Sequence, residues 1–421
     1  MSLRVLIDAR LSDGVNGGVQ QWIIGLAQAF SKLPPGDEEY VFLTEAGTGD
    51  WLEPYVFGAC RIKYFAPESP PAHGGRSLRS GVRQLRRALA SRIPILRTAW
   101  RQVARWLPTM HRVADKSGAQ VVHFPMQRAF ITPTPSIYQP WDLQHLHLPQ
   151  FFTEGQRKSR ETSYRLYCTQ ASLIIVATRW VKADLVREYG ISADKIAVVN
   201  VPPPTAAYVQ PTRDEIEEAS LRLSLPSRFV FYPAQMWGHK NHVRLLEALK
   251  MLRDEGITVP LVCSGRENEG SDVVFEAAKR LGIEDDVRFL GFVGAPDVVV
   301  LYRTASALVF PSLYEGWGLP IVEAFDHEIP VACSNATSLP ELVGDAAILF
   351  NPLDPRDMAE AIKRVWTDEG TRQQLVARGK ARVAQFDWPT TARTVRAHYR
   401  RLAGRALSPD DLALLNEPSV V

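Results

Sequence analysis

The stretch FPSLYEGWGLPIVEA, residues 310–324, carries the clearest pattern in this chain of 421 residues. Its apolar start predicts the end of a buried strand, and its two glycines predict a turn into a helix that begins near Leu319. The free N–H groups at such a helix start favour a bound anion. Glu315 lies in the turn, and Glu323 lies about one turn inside the helix. Two carboxylates in these places can bind the hydroxyls of a sugar.

Short apolar runs alternate with segments of helical periodicity on both sides of this stretch. The alternation predicts an α/β fold with parallel sheets, and the chain length fits two Rossmann-like halves. A composition of 46% hydrophobic and 23% charged residues excludes a disordered or coiled-coil protein. The predicted strands are Val5–Ile7, Tyr40–Leu43, Val121–Phe124, Leu173–Ala177, Phe229–Tyr232, Leu261–Ser264, Val287–Leu290, Leu308–Phe310, Val331–Cys333 and Ile348–Phe350.

The alternation is interrupted once, at the three prolines of residues 201–204 and the polar run 210–218 that follows them. We therefore predict a linker there, an N-terminal domain over 1–204 and a C-terminal domain over 205–388. The last segment, 389–421, begins with a helix that we expect to pack back on the N-terminal half. Ligands of such sheets bind beyond the carboxyl ends of the strands, so the cleft between the halves is the expected site.

Segment 76–112 holds ten arginines and no lysine, aspartate or glutamate, although the whole chain has a net charge of only +3. Its leucines and tryptophans recur at helical spacing, which predicts two amphipathic helices. An Arg-rich face opposite Trp and Leu fits a helix that lies on an anionic membrane surface. A solvated helix pair packed on the core is the alternative. Nucleic acid is not an expected partner, because no recognition motif accompanies the charge.

The expected location is the cytoplasm, with peripheral attachment to the inner face of the membrane as a second option. No run approaches about 18 apolar residues, the length of a spanning helix. Asp8 interrupts the first apolar run too early for a signal peptide. The four cysteines are far apart, in no spacing typical of a disulfide framework or a zinc site.

Two further strand-to-helix turns carry candidate binding residues. Gly17 and Gly18 follow the first strand, where glycine lets backbone N–H groups approach a ligand. A tight turn without a ligand is the alternative. Lys240 lies just before the helix that follows the strand 229–232, where a cation could bind a diphosphate, and Asn241 is predicted to cap that helix. A solvated surface lysine is the alternative for Lys240.

Glu315 and Glu323, separated by seven residues, resemble the signature of glycosyltransferase family 4, a family of retaining enzymes with the GT-B fold. Ser338-Leu339-Pro340-Glu341, the strand 287–291 and the closing helix at Trp388 add to the resemblance, which covers nearly the whole chain. It implies a GT-B fold, in which two Rossmann-like domains face each other across a central cleft. The resemblance also implies that the N-terminal domain, 1–204, binds the acceptor and that the C-terminal domain, 205–388, binds the nucleotide-sugar donor.

The resemblance also implies roles for individual residues. Lys240 would bind the donor diphosphate, Glu323 the ribose, and Glu315 the transferred sugar together with the N–H groups of Gly316, Trp317, Gly318 and Leu319. Lys240 and Glu315 are the expected catalytic pair. Gly17 and Gly18 would lie beside the phosphates and the acceptor. No cofactor and no metal are expected, because the family stabilises the leaving diphosphate with its own cations and this sequence has no D-x-D pair.

One departure from the family concerns the cations that bind phosphate. Gln235 stands where members usually have an arginine, so we expect Gln235 at the donor and Arg244 or His239 in place of the missing cation. The combination Pro-Ala-Gln and His-Lys-Asn-His, within residues 233–242, resembles a subgroup of the family.

Two other departures concern the acceptor side and the donor pocket. Trp141 stands where a histidine commonly precedes Asp142, so we expect Asp142 with His145 or His147 on the acceptor side, although a lone histidine is more often structural. Residues 326–328 lack the small glycine that is usual before Ile329-Pro330 in the family. This difference either tunes the donor pocket or is surface variation.

Together these patterns predict a metal-independent glycosyltransferase that acts on a glycan or lipid-linked glycan acceptor in polysaccharide or lipopolysaccharide assembly. The subgroup resemblance favours mannose from GDP-mannose. Two other classes stay open: an epimerase or phosphorylase on the same fold, which would need no acceptor or would need phosphate, and a binding protein that turns nothing over.

Overall fold

The computed structural model describes residues 2–12, 17–34, 36–65, 113–204, 208–268, 270–417 and 419–421. Segment 76–112, with its predicted amphipathic helices, lies outside the described residues. Within the described part of the chain, no helix combines the length and the apolar character needed to cross a membrane.

The first half is built on seven parallel strands and the helices between them. The strands are β1 (Leu3–Asp8), β2 (Glu38–Glu45), β3 (Cys60–Phe65), β4 (Val121–Phe124), β5 (Ser136–Tyr138), β6 (Leu173–Val176) and β7 (Ile196–Val198). The helices are α1 (Gly17–Lys32), α2 (Val113–Ser117), α3 (Gln144–His147), α4 (Glu154–Gln170) and α5 (Arg179–Tyr189). The strands pair in the order β3-β2-β1-β4-β5-β6-β7, so the order reverses between β1 and β4.

The second half repeats this plan with six parallel strands. The strands are β8 (Val230–Pro233), β9 (Leu261–Ser264), β10 (Val287–Phe289), β11 (Ala307–Phe310), β12 (Val331–Ser334) and β13 (Ala347–Phe350). The helices are α6 (Arg213–Arg222), α7 (His242–Asp254), α8 (Ser271–Leu281), α9 (Ala295–Thr304), α10 (Leu319–Asp326), α11 (Leu339–Val343), α12 (Pro355–Thr367) and α13 (Glu369–Val383). The strand order is β10-β9-β8-β11-β12-β13, with its reversal between β8 and β11.

All ten predicted strands are confirmed, with ends within two residues of the predicted ones. Helices cover both faces of each sheet, so the inner strands are buried on both sides and form continuous apolar runs. Three strands escaped the prediction. β3 and β7 are edge strands, and in β3 polar and apolar residues are mixed; β5 has only three residues, close to Pro135 and Pro140.

The end of the chain returns to the first half through α14 (Trp388–Leu402), which α15 (Pro409–Asn416) follows. The Trp388 Nε1–H donates to the carbonyl of Pro203 at 2.8 Å, and the indole ring lies directly on Gly25 of α1. The Tyr399 hydroxyl is 2.6 Å from His123 Nδ1 in the first sheet. Burial lowers the pKa of His123 to about 4, so its ring is neutral and its Nδ1 accepts a hydrogen bond from the Tyr399 hydroxyl. These buried contacts join α14 to the N-terminal half.

The predicted linker is only partly irregular. Residues 201–204 are buried, whereas α6 occupies much of the polar run 210–218. A capping box at Thr212 explains this helix, because the Thr212 hydroxyl accepts from the Glu215 N–H and the Glu215 carboxylate accepts from the Thr212 N–H. Polarity alone was therefore a poor indication of a linker here.

Candidate active site

The candidate site lies where the second sheet reverses its strand order, at the carboxyl ends of β8 and β11. Loop 234–241 follows β8, and loop 311–318 follows β11 and leads into α10. In open parallel sheets this reversal opens a crevice between neighbouring loops. Two of the predicted residues, Lys240 and Glu315, lie in these two loops.

Lys240 and Glu315 form an ion pair across the crevice. Lys240 Nζ is 2.5 Å from Glu315 Oε1, and the two side chains are 19% and 14% exposed. The Tyr232 hydroxyl donates to the Lys240 carbonyl at 2.7 Å. The Glu315 N–H donates to the Thr337 hydroxyl at 3.0 Å, and the Glu315 carbonyl accepts from Thr337 and Ser338. Both members of the pair are therefore held by their own backbones, and the alternative of a solvated surface lysine does not describe Lys240.

Glu323 lies one turn inside α10, and its residue is only 7% exposed. Its two carboxylate oxygens accept hydrogen bonds from the hydroxyls of Tyr208 at 2.7 Å and Tyr302 at 2.5 Å. Burial raises the pKa of the Glu323 carboxyl, while the two hydrogen bonds oppose the rise. A carboxylate can accept about four hydrogen bonds, so two sites remain for a ligand. No sequence pattern predicted these two tyrosines, which come from the chain before α6 and from α9.

Two helix starts meet across the cleft. Helix α10 begins after Gly318, whose φ of 115° is a conformation that side chains rarely allow. Helix α1 of the other half begins at Gly17, and a Cβ on Gly18 would lie 3.9 Å from Leu319 Cδ2. This contact brings the first turns of the two helices next to each other, and a helix start carries the positive end of the helix dipole. A role of Gly17, Gly18, Gly318 and Leu319 in binding stays a prediction.

The turn between Glu315 and α10 touches the N-terminal half directly. A Cβ on Gly316 would lie 2.3 Å from the carbonyl oxygen of Trp141, so only glycine allows this approach. The Trp317 ring turns away from the cleft, is 5% exposed and packs edge-on against Phe386 at 5.4 Å. The buried Nε1–H of this ring has no hydrogen-bond partner among the described residues. The contact through the backbone N–H of Trp317 that the family resemblance implies stays a prediction.

Asp142 is the carboxylate that the N-terminal half brings to this turn, with its Cβ 3.3 Å from the position of a Cβ on Gly316. Burial raises the pKa of Asp142, and the charge of Glu315 raises it further; the Gln144 N–H, Arg160 and Lys240 oppose the rise. A carboxylate with a raised pKa is a better proton acceptor than an ordinary one.

Trp141, which replaces the histidine common in the family, has a φ of 69°. This left-handed conformation costs a bulky residue about 1–3 kcal/mol. Its Nε1–H donates to the Pro125 carbonyl at 3.0 Å, and its ring packs edge-on against Trp22 at 6.0 Å. The indole is thus held by the N-terminal half while its backbone supports Gly316.

Arg244 and Gln235 lie to one side of the ion pair. Arg244 Nη1 donates to the Asn241 side-chain oxygen at 2.9 Å, and Arg244 lines a cavity of about 890 Å³ on the α7 side of the sheet edge. Lys240 and Glu315 do not line that cavity. Gln235 accepts from the Trp237 Nε1–H at 3.0 Å.

Asn241 occupies the predicted N-cap position of α7, but its side chain does not cap the helix. Its amide donates to the carbonyls of Pro311 and Pro352. The position of the predicted cap is therefore confirmed, and its hydrogen bond is not formed.

The predicted replacement for the missing phosphate cation included His239. Burial lowers the pKa of His239 to about 2, and the charges of Lys240 and Arg160 lower it too, so the ring is neutral at physiological pH. Arg160, on α4 of the N-terminal half, acts on both His239 and Asp142 through its charge. It is half-buried, lies 4.8 Å over the Phe152 ring and forms no salt bridge with any described residue. Sequence reasoning missed Arg160, and the pattern around it gave no signal.

The two acceptor-side histidines are both occupied by protein contacts. The His145 side chain is fully buried, with Nε2 3.2 Å from Glu161, and burial lowers its pKa to about 4. The structure therefore does not bring His145 to the cleft. His147 Nε2 lies 2.9 Å from both oxygens of Asp184.

His147, Asp184 and Glu188 place one ligand atom each within 4.8 Å of one another, the arrangement of a metal site. Arg187 pairs with both of these carboxylates, and the Tyr314 hydroxyl donates to Asp184. Both carboxylates therefore already have a positively charged partner in Arg187, and the metal independence of the transfer stays a prediction.

Comparison with known proteins shows what this chain is similar to. Residues 213–382 match the family model described as glycosyl transferases group 1. The chain is 31% identical over 260 residues to O-antigen chain mannosyltransferase B of Escherichia coli. The matched stretch covers 61% of this chain and 68% of that relative. It is also 31% identical over 199 residues to the serotype-specific mannosyltransferase WbdA of Escherichia coli, covering 47% of this chain but only 24% of that protein.

Two solved structures share the fold over almost the whole chain. Anabaena Alr3699/HepE in complex with UDP and glucose has a TM-score of 0.67 at 17% identity, covering 95% of this chain and 100% of that one. Sucrose-phosphate synthase from Thermosynechococcus elongatus has a TM-score of 0.68 at 18% identity, covering 96% and 99%. At these identities the likeness shows the fold alone, which is GT-B, as predicted.

Proposed function

This chain belongs to the group 1 glycosyltransferases, and we propose that it transfers mannose from GDP-mannose to a glycan hydroxyl with retention of configuration. The observation that carries the proposal is the Lys240–Glu315 ion pair, which faces Asp142 of the other half at the meeting point of two helix starts. The names of the two Escherichia coli relatives support mannose as the sugar. The name of O-antigen chain mannosyltransferase B also supports an O-antigen-type polysaccharide as the product.

The diphosphate of the donor would bind between Lys240 and the two helix starts. Lys240 supplies a charge-assisted hydrogen bond, and the N–H groups at the start of α10 and α1 supply fixed dipoles. Arg160 supplies a second cation, from the other side of the cleft. In the transfer step the bond between the sugar C1 and the phosphate oxygen breaks, and negative charge develops on the diphosphate. These groups stabilise that charge without a metal ion.

The nucleoside end would bind at Glu323. Its carboxylate is fixed by Tyr208 and Tyr302, which leaves two acceptor sites for the ribose hydroxyls. Structural neighbours of this chain bind UDP, which supports a nucleoside diphosphate as ligand. Guanine as the base is proposed from the resemblance to a subgroup that favours GDP-mannose, and the names of the relatives support the sugar alone.

The sugar and the acceptor would meet between Glu315 and Asp142. Glu315 accepts hydrogen bonds from sugar hydroxyls, with the backbone N–H groups of residues 316–319 beside it. The acceptor hydroxyl must lose a proton as the new C1–O bond forms, and Asp142 is a carboxylate of raised pKa on that side of the cleft. We propose a glycan or lipid-linked glycan as acceptor and a cytoplasmic enzyme at the inner face of the membrane, with segment 76–112 as its anionic-lipid contact.

A transfer assay tests this proposal. The purified chain is incubated in EDTA with GDP-mannose, or with UDP-glucose and dTDP-glucose as comparison donors, and with synthetic mannosides as acceptors. We expect a product larger by one hexose only with GDP-mannose, with an α-linkage detected by NMR. Lys240→Met should abolish it, while Lys250→Met, which removes a lysine paired with Asp254 at the surface of α7, should not.

Each other outcome contradicts a stated part of the proposal. Transfer only with added divalent metal contradicts metal independence, and an inverted linkage contradicts retention. Donor conversion without acceptor, or only with inorganic phosphate, indicates an epimerase or phosphorylase. Tight nucleotide binding without turnover of any donor indicates a binding protein.

A further inference from the structure

Tyr314, the residue before Glu315, is inserted into the N-terminal half. It lies on the loop after β11, yet it is only 3% exposed. The His147 ring stacks on it at 5.4 Å with an interplanar angle of 21°, and the Trp180 ring meets it edge-on at 5.5 Å. Its hydroxyl donates to Asp184 Oδ2 at 3.1 Å. The C-terminal half thus contributes the tyrosine, and the N-terminal half contributes the pocket around it.

Asp184 is a fully buried carboxylate that receives three donors. His147 Nε2–H and Arg187 come from the same half, and only Tyr314 comes from the other. A buried carboxylate needs such partners, because a charge left unpaired in the interior is strongly destabilising. Burial also raises the pKa of Tyr314, which keeps its hydroxyl a donor. The contact between the halves is therefore a directed hydrogen bond and not only apolar packing.

Neighbouring contacts fix the same loop from its other side. The backbone of Glu315 is held by Thr337 and Ser338 of the C-terminal half, and the Gly316 carbonyl accepts from the Thr178 hydroxyl of the N-terminal half at 3.3 Å. The Glu341 carboxylate accepts from the N–H groups that begin α5, the helix that carries Asp184. Between these attachments the Glu315 side chain points at Lys240.

We propose that the Tyr314–Asp184 hydrogen bond positions Glu315 relative to the acceptor half, so that Tyr314 and Asp184 are positioning residues for the transfer step. The inference rests on one part of the proposed function, which is that Glu315 acts on the transferred sugar. The nucleotide contacts depend on this bond much less than Glu315 does. Glu323 has no contact with it, and the backbone of Lys240, the partner of Glu315, is held separately by Tyr232. Loss of the bond should therefore lower kcat and leave nucleotide affinity within about twofold.

The test is Tyr314→Phe, which removes the hydroxyl and keeps the ring packing. We expect kcat to fall by about 10- to 100-fold, since displacement of a catalytic group by about 1 Å costs up to about 100-fold. The Kd for GDP should stay within about twofold, as should KM for the donor. Tyr40→Phe is the matched control, because the Tyr40 hydroxyl is also buried but has no hydrogen-bond partner in the described part of the chain.

Asp184→Asn, which keeps the shape and one acceptor oxygen, tests whether Tyr314 acts through Asp184. If it does, the double variant Tyr314→Phe/Asp184→Asn is no slower than the slower single variant. Additive losses, an unchanged kcat in Tyr314→Phe, or an equal loss in Tyr40→Phe would each overturn the inference.

Amide hydrogen exchange separates this inference from the proposed function. The Glu315 N–H should exchange faster in Tyr314→Phe than in the wild type, while amides of β11 should not change. This readout needs no substrate. If the wild type transfers no sugar but the loop loses protection, the positioning contact stands and the proposed function fails. If the loop keeps its protection, the inference fails whatever the activity.

Discussion

Neutralising Lys240 and neutralising Glu315 should change nucleotide affinity in opposite directions. Lys240→Met removes a cation that we place on the donor diphosphate, and Glu315→Gln removes an anion that lies beside the same diphosphate. If the ion pair were purely structural, Glu315→Gln should weaken nucleotide binding as Lys240→Met does, because loss of either partner would disturb the site. The sign of the Glu315 effect therefore distinguishes a binding site from a structural pair.

The geometry gives the magnitude. Lys240 Nζ and Glu315 Oε1 are 2.5 Å apart, and a phosphate oxygen at about 2.8 Å from Nζ would lie about 5 Å from Glu315. At an effective dielectric constant of about 20, that repulsion is about 3 kcal/mol. Solvent screening leaves about 1 kcal/mol of this, so Glu315→Gln should tighten GDP binding about fivefold. Lys240→Met loses a hydrogen bond between charged groups, which weakens binding about 10- to 100-fold.

Isothermal titration calorimetry with GDP in EDTA at low salt measures both effects. The controls are Lys250→Met and Glu247→Gln, which remove one positive and one negative charge on α7, away from the ion pair. Raising the salt should shrink the difference between the two variants, because screening acts on the same repulsion. If Glu315→Gln binds GDP as weakly as Lys240→Met, the diphosphate does not lie beside this pair and our placement is wrong.

Three other predictions follow from the described contacts. Tyr302→Phe removes a hydrogen bond that opposes the burial-induced rise in the pKa of Glu323, so Glu323 should become protonated at a higher pH than in the wild type. As the pH is lowered, GDP affinity should therefore start to fall earlier in the variant. Coincident profiles of Kd against pH would argue against this role of Glu323. Arg160→Gln should weaken GDP binding about tenfold, the cost of one charge-assisted contact, whereas Arg157→Gln, an exposed arginine on the same helix, should not; calorimetry distinguishes them. Gly25→Ala should destabilise the protein in urea although alanine favours helices, because its Cβ would lie 1.9 Å from the Trp388 ring; a stabilised variant would show that α14 does not pack on α1 as described.

The sequence predicted those parts of the site whose partners are close along the chain. The strand-turn-helix of residues 310–324 is a local pattern, so Glu315, Gly318 and Glu323 could be placed on their elements before the fold was known. The partners of those residues could not. Tyr302 reaches Glu323 from the preceding helix, and Tyr208 reaches it from the chain before α6. Nothing in the spacing of two tyrosines predicts that they share one carboxylate, since tertiary packing alone brings them together.

The missing phosphate cation illustrates the same limit, and it also has a consequence for the reaction. Arg244 and His239 were natural candidates because they neighbour Lys240 in sequence, but Arg244 faces the cavity beside α7 and His239 is kept neutral by burial. Arg160 comes from the opposite half, and its positive charge lowers the pKa of both His239 and Asp142.

If Arg160 binds the diphosphate as we propose, diphosphate binding depends on how the two halves are placed. If the Tyr314–Asp184 contact positions Glu315 as we propose, the placement of Glu315 depends on the same arrangement. Charge stabilisation and sugar positioning would then be complete only when the cleft is closed, which keeps water from the sugar C1 before an acceptor is bound. It also means that GDP, which keeps the diphosphate contacts after transfer, should leave only when the halves part. In that case Arg160→Gln should speed GDP release more than it slows GDP association.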